Sequence, residues 1–134
     1  MKEAQITFSS SLFIPKNQKA ELWTEERCFI IELLNDDNVP DFSVAIARVE
    51  SQVTTQLHLL KGIVETYIIR KGSGVAEVNG VKHQLGPMDS LVIPAGFEQR
   101  ITNTGSDDLE FYCICQPRFV IESYVNREVL FKNS

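Results

Sequence analysis

Apolar residues in this chain come in short runs rich in Val, Ile, Tyr, Phe and Thr, and polar punctuation separates the runs at nearly even intervals. FSVAIARVE at 42–50 alternates loosely and reads as a strand; QLHLLK, IVETYIIR, GVAEVNGVKHQL, SLVIP, RITN and LEFYCICQP follow it. Between them stand Gly62, Gly72-Ser73-Gly74, Asn79-Gly80, Gly86-Pro87, Pro94-Ala95-Gly96 and Thr104-Gly105-Ser106-Asp107. Asn79-Gly80 is the strongest turn signal, because a two-residue hairpin asks for positive φ at both places and Asn and Gly tolerate it best. Strands returning roughly every 8 to 12 residues imply an antiparallel sandwich or barrel, not a βαβ sheet.

Upstream, QITF and LFIP within 5–14 predict one or two short edge strands closed at Pro15. In ELWTEERCFIIELLN the cluster Glu25-Glu26-Arg27 has the composition of a helix start, but CFIIELL reads better as a strand, ended by the turn Asn35-Asp36-Asp37-Asn38 and Pro40. Downstream of Pro117, RFVIESYVNREVLFKN is apolar enough to need a packing partner. It is expected to lie across the outer face of the barrel or against a second subunit, with a short helix near Glu122 to Asn126.

Length and charge narrow the class. The 134 residues suit a single domain able to bury its core without disulfides. The net charge of -5 disfavours nucleic acid and anionic membranes as partners, since both need a basic face. No basic start followed by an apolar stretch marks a secretory signal, and no run reaches the length of a membrane span, so the expected compartment is the cytoplasm. Cys28, Cys113 and Cys115 show no CxxC spacing and read as reduced core thiols.

Within QLHLLKGIVETYIIRKG, His58 and Glu65 interrupt an otherwise apolar run. An imidazole and a carboxyl on the buried face of a strand need a partner: a metal, a ligand or one another. These residues resemble the cupin superfamily. Its first motif, G-x5-H-x-H-x3,4-E-x6-G, is met by His58, Glu65 and Gly72, with Leu60 in the place of the second histidine. Its second, G-x5-P-x-G-x2-H-x3-N, is met by Pro94, Gly96 and Asn103, with Met88 in the place of the first glycine and Gln99 in that of the histidine.

The resemblance implies an all-β, antiparallel double-stranded β-helix, a jelly-roll barrel with little helix, whose mouth holds the site. It implies one cupin domain over 1–134, with the conserved barrel at about 42–117, N-terminal strands within 5–34 and a C-terminal tail at 118–134. It also implies a homodimer. The family's motif residues bind a divalent metal, so His58, Glu65 and Gln99 are the candidate ligands here, for iron, manganese, zinc or nickel. Leu60 has no donor atom, and the amide of Gln99 is a weak one.

Without metal, Glu65 in an apolar barrel has its pKa raised by desolvation, which suits a general acid or base working beside His58. Tyr67 shares strand parity with Glu65, and Phe111, Cys113 and Cys115 share parity with one another. Gln99, Tyr67, Leu60 and Phe111 are the candidate ligand-binding wall. Arg48, Arg100 and Arg118 are the nearest basic groups: Arg100 falls on the face opposite Gln99, while Arg118 is placed to reach the rim. His83 reads as a surface residue. Pro94 and Gly96 shape the turn before Gln99, and the bend at Met88 is expected to have moved upstream to Gly86-Pro87.

Two functions stand open. One is an enzyme acting on a small polar metabolite, with a weakly held metal as Lewis acid or with Glu65 as proton shuttle; sugar-phosphate isomerisation and dioxygenation are the reactions that the resemblance makes available. The other is a metal-free, non-catalytic module that binds or senses a ligand. A purely structural dimer would have its mouth plugged by side chains, Leu60 among them.

Overall fold

A computed structural model describes residues 10–128. Eleven strands follow one another: β1 (Glu21–Trp23), β2 (Phe29–Leu34), β3 (Ser43–Val49), β4 (His58–Leu60), β5 (Val64–Lys71), β6 (Gly74–Val78), β7 (Val81–Leu85), β8 (Ser90–Ile93), β9 (Gln99–Asn103), β10 (Leu109–Gln116) and β11 (Tyr124–Asn126). They form a six-stranded sheet in the order β1-β2-β3-β10-β5-β8 and a five-stranded sheet in the order β11-β4-β9-β6-β7. Every pairing is antiparallel. This is the antiparallel sandwich or barrel expected from the even strand spacing, in the jelly-roll form that the cupin resemblance implied. Among the described residues no helix is long and apolar enough to cross a membrane.

Period-two alternation supplies the core. Tyr67 and Ile69 of β5, Phe111 and Cys113 of β10, Ala47 and Val49 of β3, and Ile101 of β9 all point between the sheets and are buried. A second cluster of Leu60, Ile63 and Cys115, with Phe119 and Tyr124 against it, closes one end. The Asn79-Gly80 hairpin between β6 and β7 takes positive φ at both residues, 47° and 81°.

Four expectations are corrected. LFIP forms no strand, and among the described residues the only regular structure before β1 is a 3-10 turn at Lys16–Gln18; QITF lies outside the described residues. The region expected to hold a short helix is a 3-10 turn, Ile121–Ser123, followed by β11. Up to residue 128 the tail does not lie across the outer face: β11 extends the smaller sheet by pairing with β4, Tyr124 opposite Leu60 and Asn126 opposite His58. The part of the tail beyond 128 is outside the described residues.

The fourth correction concerns Met88. It keeps the left-handed conformation of the glycine it replaces, φ 73°, so the bend has not moved to Gly86-Pro87. Gln52, six places before His58 where the first motif also has glycine, takes φ 66°. The turn geometry has outlasted the residue type that makes it easy. Gly72 has no such latitude: with φ 86°, a Cβ there would stand 2.8 Å from the carbonyl oxygen of Asp108.

Candidate functional site

The inward faces of β3, β4, β5 and β10, together with the β1–β2 turn and β11, enclose a cavity of about 620 Å³. His58, Leu60, Glu65, Tyr67 and Phe111 all line it. Gln99 does not. It lies opposite His58 in the β4–β9 register, 2% exposed, and its Oε1 accepts the Tyr67 hydroxyl at 2.7 Å. Gln99 therefore stands behind the wall, holding Tyr67.

Glu65 is an acid buried in an apolar setting. Its strand position puts a carboxyl among apolar walls, only 8% exposed, directly opposite Cys115 in the β5–β10 register. The Cys115 thiol donates to its Oε2 at 3.7 Å. Burial pushes the carboxyl up to about 8, and the charge of Glu26 pushes the same way; hydrogen bonds from Cys115, Gln99 and Cys113 oppose this but lose. At neutral pH Glu65 is mostly a neutral acid able to donate a proton.

His58 is held at a fixed rotation. Nδ1 lies 2.7 Å from the Gln56 carbonyl, which can only accept, so Nδ1 carries the hydrogen and the Nε2 lone pair is left free. Tyr124 stacks on the ring at 4.7 Å between centroids, and its hydroxyl donates to Gln56 Oε1 at 2.6 Å. Nε2 faces Glu26 Oε1 at 3.6 Å. Glu26 is itself raised by burial, with His58 pulling it back down.

Sequence reasoning missed Glu26, Gln56 and Tyr124. Glu26 sits in the turn between β1 and β2, where Thr24 accepts the amides of Arg27 and Glu26 and donates to the Cys28 carbonyl. Arg27 adopts φ 67°, and the Gln56 amide donates to the Glu26 carbonyl at 2.9 Å. Glu26 thereby joins the segment that also anchors His58. Arg27 is clamped to Glu128 through two hydrogen bonds of 3.1 and 2.8 Å, and Glu128 also accepts the Leu57 amide at 2.7 Å. The chain just beyond β11 thus straps the turn shut.

The remaining candidates are structural. Arg48 pairs with Glu21 and Asp108, Arg100 with Glu77, and Arg118 with Asp37 and Asn35. None lines the cavity, so Arg118 does not reach the rim as expected. His83 is half-buried on β7. Cys28, Cys113 and Cys115 are free and buried; burial pushes the Cys28 thiol up to about 12 and raises the other two as well, which keeps them un-ionised.

The donor set does not fit a metal. Among the described residues no three His, Cys, Asp or Glu side chains are grouped to hold an ion. Leu60 offers no donor, and Gln99 spends its oxygen on Tyr67 behind the cavity wall. The metal role that the resemblance implied for His58, Glu65 and Gln99 is therefore not supported by their placement.

The barrel thus combines a jelly-roll frame with a mostly apolar interior into which a few polar groups converge. The chain belongs to the cupin family, whose domain, described as "Cupin domain", matches residues 46–115. No curated protein matches the sequence. Among solved structures it is similar to Pac13 of Streptomyces, a nucleoside dehydratase, with a TM-score of 0.74 and 15% identity over 87% of this chain and 91% of that one. KdgF from Halomonas sp. gives a TM-score of 0.70 and 15% identity over 82% and 96%. The cupin domain of Schizosaccharomyces pombe Cnp3 gives 0.64 and 13% over 74% and 85%. At such identities the likeness is one of fold.

Proposed function

We propose that this cupin is an enzyme that performs proton-transfer chemistry on a small polar molecule without a resident metal. The observation that carries the reading is the pairing, across one cavity, of a carboxyl held protonated with an imidazole whose Nδ1 is bonded to the Gln56 carbonyl, leaving Nε2 able to accept a proton. A protonated acid and a proton acceptor lining one cavity together supply both halves of a proton transfer. Glu65 would donate to an oxygen of the substrate while His58 Nε2 removes a proton, and Glu26 would stabilise the imidazolium that results. Dehydration and isomerisation fit this pair of roles. A fold shared with a nucleoside dehydratase, variants of which are known with uridine, supports a cavity that accepts a small polar molecule.

Chelator-treated protein incubated in deuterated water with a mixture of small polar metabolites tests the reading. Turnover or deuterium incorporation seen by mass spectrometry, and lost in Glu65→Gln and His58→Gln, is the expected result. Turnover that needs added metal would overturn it, as would metabolite-induced stabilisation without any chemistry, which would leave the barrel a binding module.

A homodimer is proposed alongside. β1 is the outermost strand of its sheet and exposes Leu22 and Trp23, at 64% and 56%. Light scattering at micromolar concentration should give twice the monomer mass; a monomer sinks the proposal.

A further inference from the structure

We infer that the cavity selects a ligand carrying a cationic nitrogen on an apolar body, an organic ammonium ion. The inference rests on the cavity being the working site, and it concerns which ligand enters, not what is done to it.

The lining bears the carboxyls of Glu25, Glu26, Glu32 and Glu65 against one cation, Lys19. The arginines nearby are committed elsewhere: Arg27 to Glu128, Arg48 to Glu21 and Asp108, Arg118 to Asp37. Glu65, 8% exposed and lining the cavity, has no cationic partner among the described residues. Its carboxyl, hydrogen-bonded by the Cys115 thiol and mostly protonated at neutral pH, ionises more readily once a cation stands beside it, so a cationic ligand gains a charge partner there. An anionic ligand would meet the carboxyls of Glu25, Glu26 and Glu32 with only Lys19 to offset them.

A metal ion is not the cation this cavity asks for, because its acids do not converge as a ligand cluster. Its walls suit an organic one. Tyr67, Phe111, Phe119 and Tyr124 line it, and aromatic faces attract ammonium groups while accommodating an apolar body. The volume, about 620 Å³, lies in the range of small-molecule sites.

Three probes of nearly equal shape separate the possibilities: benzylammonium, benzyl alcohol and benzoate, titrated calorimetrically at neutral pH and moderate salt. Benzylammonium should bind at least tenfold more tightly than benzyl alcohol, and benzoate weakest of all. The Glu26→Gln/Glu65→Gln double variant should level the series. Equal or tighter binding of the alcohol or of benzoate overturns the inference, as does a failure of benzylammonium to bind at millimolar concentration. Should the double variant not fold, the wild-type series decides on its own. The charge series reads ligand selection alone, whereas the proton chemistry is read by turnover, so either can fail while the other stands.

Discussion

Replacing Glu65 by glutamine keeps the shape of the side chain and removes its titration, which makes the buried acid measurable as stability. In the folded chain the carboxyl titrates at about 8, against 4.5 for an ordinary glutamate. Between those values the folded state holds a proton that the unfolded chain releases, so raising the pH favours unfolding across that window. The loss is about 1 kcal/mol at pH 5 and approaches about 5 kcal/mol above pH 8. Glutamine carries none of this, so the unfolding free energy of Glu65→Gln relative to the natural chain should climb by about 4 kcal/mol from pH 5 to pH 9. Urea denaturation of both proteins at one-unit steps measures the difference directly, and shared titrations elsewhere largely cancel in it. A difference that stays flat within about 1 kcal/mol would mean that Glu65 ionises at an ordinary pH, and the acid of the proposed chemistry would be gone.

The same titration predicts that turnover by the natural chain falls as pH passes about 8, read from a pH profile of kcat. Met88→Gly should stabilise by roughly 0.5–1 kcal/mol, because an exposed side chain at φ 73° contributes strain and no packing; thermal unfolding checks it. Gly72→Ala should cost about 2 kcal/mol or more, since the new methyl meets the Asp108 carbonyl at 2.8 Å in a left-handed turn. Leu60→His should create zinc affinity, measurable by calorimetry, by adding an imidazole two residues from His58 on the same inward face, whereas the natural protein purified without a tag should carry well under one transition metal per chain by elemental analysis.

What the sequence made legible was the part of the site that local periodicity controls. β5 and β10 alternate strictly, so spacing put Glu65 with Tyr67 on one face of the first and Phe111, Cys113 and Cys115 together on one face of the second; that the two faces meet is shown by the β5–β10 register. His58 and Leu60 followed from the motif. Glu26 could not, because what aims it is not a period: a turn closed by Thr24, a left-handed Arg27 and an amide from Gln56, thirty residues on, set its direction. Tyr124 was hidden for a related reason, β11 being only three residues long and its partner β4 lying more than sixty positions earlier. Glu26 and Tyr124 come from segments joined by long-range contacts, and both touch the imidazole that the motif retains. If Glu26 and Tyr124 now hold His58 in place of lost metal contacts, Tyr124→Leu should loosen the ring and depress turnover while lowering the charge preference of the cavity less than Glu26→Gln does. Glu26→Gln should weaken both, since its carboxyl serves the base and the ligand at once. Equal effects of the two substitutions on turnover and on ligand charge selection would show that the strap and the turn act only as packing.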